Sequence, residues 1–241
     1  KSMEGREVQL NSDFRPLGVF FNLSYWNALF SPYLTGLFRW FEGFSLRITI
    51  PLMAVLTLLI AGIFIKRPRT SRYSVPYAIF TTGLTGMIFD LAIIFTFQTL
   101  YGYLYYQIGL LVTIFMAGVA LGSLWVTQRL EGIKKDFSLF LMTELCIVLF
   151  SVLLPFVFSI PSQYLEKTGI YILLYTLFLT MSFLSGALIG FQFPLANKIY
   201  LRVTSGEGTF GEAAGLLYGA DLFGGFFGGL FGSVLLIPIL G

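Results

Sequence analysis

Residues 137–160 read FSLFLMTELCIVLFSVLLPFVFSI, twenty-four positions that carry one charge, Glu144. A helix that crosses a bilayer needs about 20 mostly apolar residues, and this run supplies them without a break. Working outward, runs of the same kind lie at 47–65, 76–99, 104–127, 168–192 and 213–239. The pattern predicts an all-α, polytopic membrane helix bundle of six transmembrane helices. Stop signals separate them: Lys66-Arg67-Pro68-Arg69 after the first, Leu100-Tyr101-Gly102-Tyr103 as a tight link, and Arg129 to Asp136 after the third. Later turns fall at Pro161-Ser162 and Gly206-Glu207-Gly208.

Composition agrees with that reading. Hydrophobic residues make up 56% of the 241, charged residues only 11%, and the mean hydropathy is +0.83. Soluble domains carry about a quarter charged residues, so this balance belongs to an integral membrane protein. The net charge of +3 is modest, and the basic residues sit at segment ends, which gives a nucleic-acid partner no support. The chain has no histidine and one cysteine, Cys146, so an intrachain disulfide is impossible and the commonest general base and metal ligand are missing. No catalytic, cofactor-binding or metal-binding set is expected from these residues.

The basic residues report topology instead. Lys66, Arg67, Arg69, Arg72, Arg129, Lys134, Lys135, Lys198 and Arg202 fall on one face of the predicted bundle, and Lys167 alone on the other. The first face is expected to be cytoplasmic, in the cytoplasmic membrane of a bacterium or archaeon. Three parts are expected along the chain: a polar tail at 1–16, an interfacial amphipathic segment at 17–46, and the helical domain at 47–241. Residues 17–38 are also long enough to form a seventh span, which would move the N-terminus across the membrane; Asn22, Ser24, Asn27, Ser31 and Pro32 favour the interfacial reading. The chain opens on Lys1 and closes on apolar residues, which suggests a piece of a longer polypeptide.

Function is to be sought at three carboxylates, Asp90, Glu144 and Asp221, each inside an apolar run that holds no Lys or Arg. An ionisable group in hydrocarbon costs a few kcal/mol or more and is rarely kept without a partner, a wet cavity or a task. Thr82, Gly86 and Asp90 share a helix face at four-residue spacing, which turns Asp90 inward. Glu144 lies near the charged loop 129–136 and is placed within reach of the interface. Gln98, Gln107 and Gln192 are polar groups able to extend such a site. Two roles stay open for the carboxyl groups: a hydrogen bond to a neighbouring helix, or a site for a cation or exchangeable proton. Small residues at four-residue spacing mark close helix packing: Gly86, Gly118 with Gly122, Gly186 with Gly190, and Gly219, Gly224 and Gly228.

Three stretches resemble a known family, the membrane-embedded spermidine synthase-like proteins, in which major-facilitator-like helices are fused to an aminopropyltransferase-like domain. The first is Leu10-Asn11-Ser12-Asp13-Phe14-Arg15-Pro16 with Phe20-Phe21-Asn22-Leu23. The second is Thr82-Gly83-Leu84-Thr85-Gly86-Met87-Ile88-Phe89-Asp90, continued by Phe97-Gln98, Tyr101-Gly102-Tyr103 and Phe115-Met116-Ala117-Gly118. The third is Gly215-Leu216-Leu217-Tyr218-Gly219-Ala220-Asp221 with Gly224-Gly225. One departure is Asp90 itself, where the family usually has Glu. The loop after Gly118-x-x-x-Gly122-Ser123 also resembles a worn facilitator signature. The resemblance implies a membrane anchor with a polyamine or cation site at Asp90, Asp221, Gln98 and Glu144, and aminopropyltransferase-like activity only if a further domain supplies it. Gly206-x-Gly208-x-x-Gly211 has dinucleotide-loop spacing but joins two membrane runs, and so carries no such role. Two other functions stay open: a structural subunit of a larger membrane complex, and a cation- or proton-coupled transporter half. The expected partners are the bilayer, other protein domains or subunits, and a polyamine.

Overall fold

A computed structural model describes residues 73–102, 105–158, 168–204 and 210–233, together with 51 and 55. Five long helices account for nearly all of them: α1 (Ser74–Tyr101), α2 (Tyr105–Arg129), α3 (Asp136–Phe158), α4 (Thr168–Val203) and α5 (Phe210–Phe231). A short 3-10 turn, Leu130–Gly132, leads from α2 toward α3. All five helices are long and apolar enough to cross a membrane. The predicted run 47–65, the tail 1–16 and the interfacial segment 17–46 lie outside the described residues.

Each helix solves the same problem, how to leave no backbone or hydroxyl donor unpaired in lipid. In α1, Thr82, Thr85, Thr96 and Thr99 return their hydroxyls to the carbonyl four residues back, and Thr81 to the carbonyl three back. That local bond lets a hydroxyl ride on an apolar helix without solvent. The helix ends at Gly102, whose φ of 84° lies in the left-handed region that a side chain resists. Its N–H donates to the Gln98 carbonyl at 2.8 Å, which closes the last turn.

Pro68–Gly229 form one unit, and within it α4 is the spine. It runs antiparallel to α1, with Gln192 beside Thr82, Ile189 against Gly86 and Phe178 against Phe97. It runs parallel to α2. An added Cβ at Gly118 would overlap the Phe183 carbonyl, one at Gly122 the Ala187 carbonyl, one at Gly186 the Phe115 carbonyl and one at Gly190 the Val119 carbonyl. The two backbones therefore touch through four glycines spaced in fours on both sides, an arrangement that gains dispersion where lipid offers no hydrophobic drive. Ser182, fully buried, fastens the same seam by donating to the Leu111 carbonyl at 2.9 Å. Gly224 and Gly228 do for α5 what these do for α2, lying against the backbone of Phe80 and Leu84 in α1. Around Gly219 no described atom stands within 4 Å of a would-be Cβ.

Two apolar clusters fill the bundle. One gathers Val75, Ile79, Val126, Phe140, Leu195, Ile199 and Leu217. The other gathers Phe89, Ile93, Phe97, Leu111, Ile147, Phe150, Leu154 and Phe178. Outward faces are apolar too. On α3, Leu141, Leu145, Val148, Leu149, Val152 and Phe156 are all exposed, the last at 72%. A continuous face of that kind is far larger than soluble proteins leave to water, and it is what a lipid-facing helix presents.

The apolar run 168–192 predicts a helix ending near Gln192, whereas α4 continues to Val203. The reason is a polar anchor beyond the run. Asp136, 1% exposed at the start of α3, receives Arg202 at 2.7 Å and lies 3.9 Å from Lys198. Lys198 Nζ also donates to the carbonyls of Leu130 and Ile133, both at 2.7 Å. Those bonds hold the last turns of α4 against the α2–α3 connection. At 36 residues and 1.5 Å each, α4 is about 54 Å long, well beyond a hydrocarbon core of about 30 Å.

Candidate functional site

Between the two apolar clusters the bundle turns polar. Ile79 belongs to the first cluster and Phe89 to the second, Phe140 to the first and Ile147 to the second, Leu195 to the first and Met181 to the second. In those gaps stand Thr82 of α1, Glu144 of α3 and Gln192 of α4. Gln192 is fully buried, and Thr82 is 3% exposed. Their side chains hydrogen-bond, Thr82 Oγ1 to Gln192 Oε1, while the same hydroxyl lies 2.9 Å from the Ala78 carbonyl. The half-buried Glu144 carboxyl faces the Gln192 amide from the third helix. Gln192 Nε2 is buried and meets no partner at strict hydrogen-bond geometry among the described residues.

Asp90 lies two turns further along α1. It is 6% exposed, and its Oδ1 is buried with no hydrogen-bond partner among the described residues. The pairing of α1 with α4 sets it level with Ser185, whose hydroxyl is committed to the Ser182 carbonyl at 2.9 Å. No cation reaches Asp90 among the described residues; the ion pairs found there all belong to Asp136. A buried carboxyl oxygen with no donor is costly in a protein interior and marks a place where a proton, water or cation completes the structure.

Asp221 is half-buried on α5, and its backbone carbonyl and Oδ1 lie where a Cβ of Gly83 would stand. Glycine is required at 83 for that approach. Because Gly83 and Asp90 are seven residues apart on α1, the two aspartates share a helix face but are offset by about 10 Å along its axis. They do not form a contacting pair. Gln98 is half-buried a further two turns on, near the end of α1. Glu144, placed near the interface by its position in the chain, turns its carboxyl to a buried amide instead. Its meeting with Gln192 is not legible from spacing, since it depends on the register of α3 against α4.

A bundle of apolar helices with inward carboxyl groups and outward apolar faces defines an integral membrane protein. Compared with known protein families, curated proteins and solved structures, the chain matches none.

Proposed function

We propose that this chain is the membrane-embedded helical domain of a spermidine synthase-like protein, serving as an anchor and as a site for an amine or other cation at Asp90 and Asp221, with major-facilitator-like helices. The observation that carries the reading is Asp90: a carboxyl group buried in an apolar bundle, one oxygen lacking a donor among the described residues. Such a group is the complement of a cation stripped of water. The offset of Asp221 suits a flexible polyamine, whose ammonium groups are held apart by methylene chains. Gln98, two turns beyond Asp90 on α1, and Glu144, facing Gln192, are the remaining polar candidates. The basic residues at the ends of α2 and α4 and in the α2–α3 connection (Arg129, Lys134, Lys135 and Arg202) support a cytoplasmic location for this end of the bundle under the positive-inside rule.

The test is equilibrium binding of radiolabelled spermidine to the purified chain in nanodiscs, with Asp90→Asn, Asp221→Asn and the double variant. Binding is expected to fall in each single variant and to vanish in the double. Unchanged binding in a double variant that retains its helicity and unfolding temperature would sink the reading.

A further inference from the structure

Leu121, Trp125 and Arg129 follow one another at four-residue spacing on α2, so they stack along one face of the helix, and all three are exposed. The ladder passes from an aliphatic side chain through an indole to a guanidinium, the order in which a bilayer passes from hydrocarbon to headgroup. Gly122 widens this face. Its lack of a Cβ admits the Phe191 ring of α4, which stacks on Trp125 with centroids 5.5 Å apart and an interplanar angle of 23°. The Arg129 guanidinium lies 4.3 Å from the centre of the same indole and donates to the Trp125 carbonyl at 3.5 Å. Stacking holds it in place and leaves its other N–H groups for a further acceptor.

The charge beside this ladder is uncompensated. Lys134 and Lys135, both exposed, stand on the α2–α3 connection, and neither makes an ion pair with a described residue. Asp136 is no counter-ion for them, because its buried carboxyl is already taken by Arg202 and Lys198. Glu131 is the one exposed carboxylate among the described residues of the connection, against three exposed cations. The connection is also fixed in place, since Lys198 Nζ binds the carbonyls of Leu130 and Ile133. Just beyond it Phe137 is exposed and begins the apolar outward face of α3.

We propose that the end of α2 and the α2–α3 connection bind an anionic phospholipid, its phosphate on Arg129, Lys134 and Lys135 and the upper part of an acyl chain along Trp125 and Leu121. The apolar half of the surface decides the class of partner. An acidic protein or a free anion would need the cations alone, whereas here the cations top a face that runs down into hydrocarbon. Arg129 offers a phosphate paired N–H groups, and the lysines add point charges. The inference does not rest on the amine site at Asp90 and Asp221, which belongs to α1 and α5.

Trp125 is one of three tryptophans, so Trp26→Phe with Trp40→Phe leaves it as the sole indole. On that background the full chain, in vesicles carrying brominated phosphatidylglycerol or brominated phosphatidylcholine, reports by quenching which lipid sits against Trp125. Binding is expected to favour phosphatidylglycerol by at least about tenfold, to lose about fivefold in Arg129→Gln, and to reach parity when Lys134→Gln and Lys135→Gln are added. All three side chains are exposed, so the variants are expected to keep their helicity, which circular dichroism checks. Equal quenching by the two lipids, or a preference that survives the triple variant, would overturn the proposal. Displacement of the lipid by soluble glycerol phosphate would overturn it too, in favour of a free-anion site. Should the tryptophan background fail to fold, native mass spectrometry of the otherwise unsubstituted chain makes the comparison. Phosphatidylglycerol retained there and lost from the triple variant supports the site, and retention by both or by neither refutes it.

Discussion

Gly118 and Gly186 are held to glycine by backbone on the facing helix, since a methyl group at either position would overlap a main-chain carbonyl that no rotamer change can move. Gly118→Ala and Gly186→Ala are each expected to lower stability by about 1–3 kcal/mol, the range for overpacking a tight contact. Gly109→Ala, on an exposed stretch of α2 with no described atom within 4 Å, is the control and is expected to be neutral or mildly stabilising. Thermal unfolding in one detergent compares all three. An equal loss in the control would remove the close-contact explanation. At the same scale, Thr82 and Gln192 form a neutral side-chain hydrogen bond between two spans, and bonds of that kind are worth about 0.6 kcal/mol and at most about 1.7. A double-mutant cycle of Thr82→Val and Gln192→Leu is expected to give a coupling energy in that range. Zero coupling would mean that the two groups are only neighbours.

Element by element, the sequence declares apolar length well and register poorly. α1, α2 and α3 begin and end within a few residues of their hydropathy limits because Gly102, Arg129 and Asp136 are both the polar boundary and the structural end. α4 breaks the correspondence. Its predicted run ends at Gln192, yet the helix continues through Asn197 and Lys198, because the partners that satisfy Lys198 are carbonyls 65 and 68 residues away. No local pattern encodes those partners. Asp90 was legible as an inward carboxyl from its face with Thr82 and Gly86, whereas the meeting of Glu144 with Gln192 required knowing that α3 and α4 are antiparallel and at what offset. The anchor that extends α4 also carries a prediction. Lys198→Met removes the donor to Leu130 and Ile133 and one of two cations near buried Asp136, and it is expected to cost about 1–3 kcal/mol and to open the α2–α3 connection. Hydrogen exchange at 130–135 is expected to quicken in this variant while exchange at the Gly118–Gly186 seam stays slow. Unchanged exchange at 130–135 would show that the connection holds itself without α4.

For the molecule as a whole, the helix ends that meet decide where the basic residues gather. The contacts of Asp136 with Arg202 and of Lys198 with the Leu130–Ile133 turn bring the C-terminal ends of α2 and α4 together with the start of α3. Arg129 adds its guanidinium 4.3 Å over the Trp125 ring, an aromatic–cation pair suited to the headgroup level. Arg129, Lys134, Lys135, Lys198 and Arg202 therefore form one basic rim, while the opposite ends of α1 and α4 meet through Tyr101 and Tyr171, with no cation there among the described residues. Anionic lipid on the cytoplasmic side favours such a rim by about 1 kcal/mol for each basic residue near the surface. The rim is accordingly expected inside. Cys146 is the chain's one thiol, so Cys146→Ala supplies a background on which Gly132→Cys reports the rim and Tyr106→Cys, 70% exposed at the start of α2, reports the other end. A membrane-impermeant maleimide added to intact cells is expected to label the Tyr106→Cys protein at once and the Gly132→Cys protein only after the cells are opened. The reverse pattern would turn the bundle over, with the basic rim outside and the Tyr101–Tyr171 end inside.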